Sequence, residues 1–487
     1  MSATTNAMPS GSGSAADEMG IIEWMPRCLE RQREAFRASP YPDAASRRDA
    51  LERLRRAVSA YQGELAEAIS RDFGGRSRFE TMTVDIVPTL MGIRHAKRHA
   101  GRWMRSRRRS LHPIMQPAGA RIVYQPLGVV GIMVPWNYPV LLALAPLTGA
   151  LAAGNRAMMK LSEFTPESNA VLRKLLAEAF SADEVAVVLG DVPVSQAFAS
   201  LPFDHLIFTG STTVGRRVMA AAAENLTPVT LELGGKSPVI VDEDAPLGPT
   251  VERLLFGKLV NAGQTCIAPD YVLCTPARRE ALVAGIQGAL PRLYPRLREN
   301  TDYASIINEA QYARLQGLLE DARERGAQVL PLNPGGDDLQ GTRKLAPHLV
   351  LEAPAQARVL REELFGPILP IVTVPDLEAA LAYVQARPRP LALYYFGQER
   401  ARQQRVLTHS HAGGVCINDT MLHVAQEELP FGGVGESGMG HYHGHHGFLT
   451  FSHQKAVFTR GRVNPTRLLY PPYGGVVQRL IQWFMAR

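Results

Sequence analysis

Apolar residues recur every three or four positions from Leu51 onward. Leu51, Leu54, Val58, Tyr61, Leu65 and Ile69 fall on one stripe, which predicts a helix with one buried face. The period then changes. Residues 120–124 alternate and are rich in β-branched side chains, Gln125-Pro126-Leu127-Gly128 turns the chain, and residues 129–134 read as a strand that ends at Pro135. Strand-like and helix-like stretches follow in alternation: strand 156–161, helix 168–179, strand 185–189, strand 205–208 and helix 214–223. That order predicts a parallel, doubly wound sheet of the nucleotide-binding kind. A second α/β unit is predicted from residues 237–241, with helices at 278–290 and 309–325 and strands at 368–374 and 391–395. The apolar run 139–154 is too short to span a bilayer and predicts a buried helix. Near the end Val477, Leu480, Ile481 and Phe484 keep helical spacing, again too briefly to cross a membrane, so this stretch would lie on a surface or against a partner subunit.

Composition narrows the class. A chain of 487 residues exceeds one ordinary core and predicts two or three domains, and 46% hydrophobic with 20% charged residues is ordinary for a globular protein. The net charge of +7 is local: residues 94–109 hold eight Lys and Arg and no acidic residue, so the remainder is near neutral. We expect a solvated helix face there, with Trp103 and Met104 turned inward, and no nucleic-acid surface. Cys28, Cys266, Cys274 and Cys416 are scattered without metal-ligand spacing, so free thiols in a reducing, cytoplasmic setting are expected. Residues 1–20 lack the basic and apolar blocks of a signal peptide and read as a disordered tail. Adjacent imidazoles in His441-Tyr442-His443-Gly444-His445-His446 converge poorly, so no metal is expected.

Four short motifs carry candidate chemistry. In Thr209-Gly210-Ser211-Thr212-Thr213-Val214-Gly215, two glycines stand between a strand and a helix, where backbone N–H groups could meet a diphosphate; alone it is also an ordinary strand-to-helix turn. In Pro135-Trp136-Asn137-Tyr138-Pro139, prolines bracket an amide able to donate to a developing oxyanion, or merely to close a turn. In Leu231-Glu232-Leu233-Gly234-Gly235-Lys236, a carboxylate between apolar neighbours could take up a proton near neutral pH, unless it is a surface strand residue. In Gly263-Gln264-Thr265-Cys266, a thiol after a glycine turn gains thiolate character if it starts a helix; a lone cysteine is more often inert filler.

All four in this order, followed by Glu363-Leu364-Phe365-Gly366-Pro367, resemble the aldehyde dehydrogenase superfamily over residues 48–473. Residues 413–420, 429–440 and 470–473 resemble its class 3 branch and, within it, the coniferyl-aldehyde dehydrogenases of bacteria. The resemblance implies an α/β fold. It comprises a doubly wound parallel-sheet NAD-binding domain (21–105, 126–232 and 424–441), an α/β catalytic domain (233–423) and a small β oligomerisation arm (106–125 and 442–487). It implies oxidation of an aldehyde to the acid through a thioester on Cys266. Asn137 and the Cys266 N–H would form the oxyanion hole, and Glu232 would be the general base. NAD, with NADP not excluded, would be held by Trp136, Lys160, Glu163, Gly210, Ser211, Thr212, Thr213, Val214, Gly215, Leu233, Gly234, Glu363 and Phe365. A homodimer is implied. Aromatic or medium-chain apolar aldehydes, coniferyl aldehyde first, are the expected substrates, with Tyr138 and residues 420–423 as expected tunnel walls. The competing readings are an acylating, coenzyme A-dependent dehydrogenase and a cysteine hydrolase.

Overall fold

The computed structural model describes residues 15–486, and the predicted stripe forms the helix Ala44–Phe73, with Leu51, Leu54, Val58, Leu65 and Ile69 fully buried. Of the expected tail, residues 1–14 lie outside the described residues. Residues 15–20 instead open the helix Ala15–Ala38, which packs Ile21, Trp24, Met25 and Leu29 into the core and is anchored by Glu18 accepting from the Asp191 N–H at 3.1 Å. The basic segment divides. Its first part completes the helix Val87–Trp103, with Trp103 buried and Met104 half-buried, while Arg107–Arg109 forms an exposed strand.

Three sheets organise the chain. The first has six strands in the spatial order Gly438–Met439, Val229–Leu233, His205–Gly210, Val129–Met133, Arg156–Lys160 and Val185–Val188, parallel except at the Gly438–Met439 edge. Val129–Met133 comes first in the chain yet lies centrally, with successive strands added outward to one side and then to the other. The reversal falls between Val129–Met133 and His205–Gly210, and in such sheets ligands bind in the crevice beyond the carboxyl ends of those two strands. The first strand leads directly into Trp136 and Asn137, the other into Ser211. Two motifs that the sequence holds far apart thus flank one crevice.

The second sheet has seven strands in the order Gln328–Pro331, His348–Leu351, Ile368–Thr373, Tyr271–Cys274, Pro238–Val241, Ala392–Phe396 and Gly414–Ile417, antiparallel only at the first pair. A third, antiparallel sheet joins Arg107–Arg109, Ala118–Pro126 and Ser452–Arg460, and pairs the last two over nine residues. The helix Leu141–Ala153 is almost wholly buried, as its uniform apolar sequence requires. Among the described residues no helix is long and apolar enough to cross a membrane. The terminal helix Val476–Met485 exposes Val477 and Leu480, and the side chains of Ile481 and Phe484 lie outside the described residues.

Candidate active site

Cys266 does not start a helix. The helix Leu247–Leu259 runs into Asn261, Ala262 and Gly263, all with positive φ (52°, 50° and 76°), and the resulting elbow turns the chain so that Cys266 sits in a bend. Asn is the side chain that best tolerates this region, and at Gly263 a Cβ would stand 2.5 Å from the Gly366 carbonyl oxygen. Gln264 staples the elbow: its Nε2 donates to the Asn261 and Ser305 carbonyls, both at 3.0 Å, and its Oε1 accepts from the Ile307 N–H at 2.9 Å.

The expected thiolate is likewise absent. Burial, together with the Glu363 and Glu232 carboxylates, pushes the Cys266 thiol up to about 12. Without a helix N-terminus behind it, only the Cys266 and Ile267 backbone N–H groups oppose this shift, and burial outweighs them. The half-buried sulfur is a thiol at neutral pH and needs a base. A cysteine–imidazole contact does exist, but between Cys416 Sγ and His423 Nδ1 at 3.1 Å, with Cys416 itself buried.

Asn137 is buried, and its Nδ2 donates to the Gln264 carbonyl at 3.2 Å, tying the end of the first sheet to the cysteine loop. A second N–H of the same amide remains for a substrate oxygen. Beneath lies a charged network that sequence reasoning missed. Buried Arg76 donates to the Asn137 carbonyl at 3.1 Å and pairs with Glu80 at 3.0 Å, and Glu80 accepts from the Asn261 N–H at 3.1 Å. Asp85 lies 4.0 Å from Arg76, and burial pushes its carboxyl up to about 6. Arg76 also sits over the Tyr138 ring, and the Tyr138 hydroxyl shares a 2.6 Å hydrogen bond with Thr265.

Glu232 lies on the strand Val229–Leu233, only 3% exposed, with neither carboxylate oxygen hydrogen-bonded. A buried carboxylate without donors is costly to ionise, and burial accordingly raises its pKa well above the ordinary range. It is a deep apolar-strand carboxyl, not a surface one.

The expected cofactor residues surround the crevice. Gly210 ends its strand, and Ser211 caps the helix Thr212–Ala223 by accepting from the Val214 N–H, so the helix begins two residues earlier than expected. Thr213 and Val214 are exposed at its first turn, Thr212 donates to the Glu436 carbonyl at 3.1 Å, and Gly215 packs on Leu233. Lys160 is buried at its strand end, donating to the Leu161 carbonyl and lying 3.7 Å from Glu163. From the second α/β unit come Glu363 and Phe365. Asp270 accepts from the Leu364 N–H at 2.9 Å and also pairs with Lys236, which fixes this segment. Phe365 has φ 49° and meets Trp136 edge-on at 5.3 Å. Glu363 Oε1 is buried without a partner, burial pushes its carboxyl up to about 7, and a Cβ on Gly234 would come within 2.2 Å of Oε2. Thr212, Gly234, Lys236 and Glu363 line a cleft of about 470 Å³. Free helical N–H groups, a close-approaching glycine and an orphaned carboxyl oxygen suit a dinucleotide.

On the other side of Cys266 a cavity of about 240 Å³ opens, walled by Met91, Leu142, Phe256, Met421, Leu422 and Val424. Tyr138 lines it as expected. Of residues 420–423 only Met421 and Leu422 do, because the Thr420 hydroxyl donates to the Arg253 carbonyl and His423 turns to Cys416. Glu427 and His443 also line it and were missed, since neither stands in a motif.

Comparison with known proteins identifies the family. The model of the aldehyde dehydrogenase family matches residues 23–457. The chain is 55% identical to the probable coniferyl aldehyde dehydrogenase of Pseudomonas aeruginosa, covering 96% of this chain and 97% of the relative. It is 45% identical to the coniferyl aldehyde dehydrogenase of a Pseudomonas species, covering 88% and 90%. A substrate-bound Staphylococcus aureus AldH structure superposes with a TM-score of 0.88 at 37% identity, covering 94% of this chain and 99% of that one. The chain therefore belongs to the aldehyde dehydrogenase family, oxidoreductases that use NAD(P) to oxidise aldehydes.

Proposed function

We propose that this enzyme oxidises aryl or medium-chain apolar aldehydes, coniferyl aldehyde foremost, to their acids through a thioester on Cys266. The observation that carries the substrate class is the cavity ending at Cys266, whose walls are mostly apolar, with Met91, Leu142, Phe256, Met421, Leu422 and Val424 among them beside a minority of polar groups such as Tyr138, Glu427 and His443. The names of the Pseudomonas relatives point the same way. Cys266 Sγ bonds to the carbonyl carbon as Glu232 takes the thiol proton, and the Asn137 amide with the Cys266 N–H holds the developing oxyanion. Bound NAD(P)⁺ supplies the acceptor for the hydride that leaves this carbon. Glu232 passes the thiol proton to solvent and, ionised again, takes a proton from the attacking water; carbon–sulfur cleavage then releases the acid, and the departing sulfur takes the proton held by Glu232.

An orphaned carboxyl at Glu232 favours water over coenzyme A as the acyl acceptor, and Cys266 hydrogen-bonds to no imidazole, which counts against a cysteine hydrolase. We assign NAD as the preferred nucleotide, since Glu163 near Lys160 repels a 2′-phosphate. A homodimer is supported by Ser452–Arg460, which is paired along one edge only and exposes Phe458. Four free cysteines fit a reducing, cytoplasmic setting.

The test is a screen of kcat/KM over aldehydes with both nucleotides. Coniferyl aldehyde with NAD should lead, and an equal or higher value for acetaldehyde would overturn the substrate reading. Cys266→Ala should lose dehydrogenase activity and keep nucleotide binding.

A further inference from the structure

The helix Val87–Trp103 and the segment after residue 420 meet at the rim of the aldehyde cavity: Met91, Gly92 and Ala96 line it from one side, Leu422, Val424 and Glu427 from the other. Just outside this rim a second cluster stands apart from the machinery described above. His95 and His99, four residues apart, share one face of the helix with ring centroids 4.3 Å apart, and Glu428 reaches them from the facing segment. We propose that His95, His99 and Glu428 form a site for a divalent transition metal, zinc foremost, that pins the segment carrying Leu422 to Glu427 against the helix and narrows the entrance for bulky aldehydes.

Three observations carry this. The potential ligand atoms of the three residues lie within 4.8 Å of one another. His95 Nε2 is shielded from solvent and makes no hydrogen bond, although Glu428 Oε1 is 3.2 Å away. That separation is close to the roughly 3.4 Å between ligand atoms on a tetrahedral zinc with bonds of about 2.0–2.1 Å. His99 Nδ1 lies 2.9 Å from the His95 carbonyl, which can only accept, so the proton sits on Nδ1 and Nε2 keeps its lone pair. Two imidazoles and one carboxylate leave a fourth position for water, a donor set that suits zinc, copper or nickel over calcium or magnesium. Arg98 and Arg102, three residues after His95 and His99 on the same helix, oppose a dication and weaken its binding. His441 and His446, on the histidine-rich stretch, are not part of the group.

Zinc also binds thiols, so the titration is done on full-length Cys266→Ala protein, by calorimetry with ZnCl₂. Trp103 reports independently: its ring lies 5.6 Å from His95 and 5.8 Å from His99, so Ni²⁺ at the site should quench its fluorescence. One zinc per chain is expected. Losing a ligand in His95→Ala or His99→Ala should weaken binding about 100-fold or more, a loss at least as large as that from disturbing a supporting shell. Glu428→Gln, at a mostly exposed side chain that tolerates change, should weaken it about tenfold or more. His446→Ala should leave it unchanged. With Cys266 present, zinc should lower kcat/KM for coniferyl aldehyde more than for acetaldehyde, and His99→Ala should erase that difference. No saturable binding, binding that survives loss of both histidines, or equal loss in His446→Ala would each overturn the proposal. These binding readouts do not depend on which aldehyde the enzyme prefers.

Discussion

Glu232→Gln separates two consequences of one buried carboxyl. As the general base, its loss should lower kcat by about 10²–10⁴, or about 3–5 kcal/mol of transition-state stabilisation at 1.36 kcal/mol per tenfold. As a group without hydrogen bonds it burdens the fold. Its folded pKa lies well above the ordinary 4.5, so its favourable contribution is complete below pH 4.5 and is lost as pH rises through the raised value. The variant, neutral at every pH, escapes that loss. A glutamine amide finds no partner there either, so what the variant relieves is the cost of ionising the carboxyl, about 1.36 kcal/mol for each pH unit above 4.5. At about 2.1 cal/mol/K per residue the unfolding entropy of 487 residues is about 1 kcal/mol/K, so relief of about 2 kcal/mol raises Tm by about 2 °C. Stopped-flow NADH formation and calorimetry at pH 5 and pH 8 supply the assays. We expect a small kcat and a variant-minus-wild-type Tm difference that grows with pH. A kcat within tenfold of wild type, or a Tm difference that shrinks as pH rises, would refute the reasoning.

Other perturbations test the surroundings. Gly234→Ala places a methyl 2.2 Å from Glu363 Oε2 and must displace that carboxylate by about 1 Å, which should reduce kcat/KM for NAD about 100-fold while Tm stays within about 2 °C; an unchanged nucleotide titration would remove Glu363 from the binding site. Asn261→Ala deletes the hydrogen bonds from Nδ2 to the Asn137 and Gln264 carbonyls and leaves a left-handed alanine, costing about 2–3 kcal/mol in urea unfolding and slowing turnover; unaltered stability and kcat would show that the elbow is held otherwise. Burial holds His205 near 4 instead of 6.5, so the stability it contributes while neutral, about 3 kcal/mol, is lost as pH falls from 6.5 to 4. His205→Asn should therefore lose about 3 kcal/mol less than wild type between pH 7 and pH 4, and parallel urea curves at both pH values would contradict this.

Periodicity carried most of the architecture. The stripe at Leu51 to Ile69 and the strand-helix alternation are local signals, and each found its element within a few residues. Two local readings failed for reasons that are not local. Residues 15–20 look like part of a disordered tail, but docking of the next turns, through Ile21 and Trp24, makes them helix. Cys266 reads as a helix start after Gly263, yet three consecutive left-handed residues and the Gln264 staple produce a bend. Asn261 did offer a signal, being the residue type that best tolerates positive φ. Arg76 offered none: a charged residue in a polar stretch gives no hint that it will be buried under Asn137. Glu427 and His443 depend on how a loop folds over the cavity, which spacing along a chain does not encode.

The hydrogen bond from Asn137 to the Gln264 carbonyl joins loops 127 positions apart, one after a strand of the first sheet and the other before a strand of the second. A ribosome that has released the strands up to Val229–Leu233 has therefore made the parallel part of the first sheet with neither Cys266 nor Glu363 to complete the site. Reactive sulfur chemistry begins only once the rest of the chain has docked, so an unfinished molecule is spared its own reactivity, and loss of turnover is an early report that the two halves have come apart.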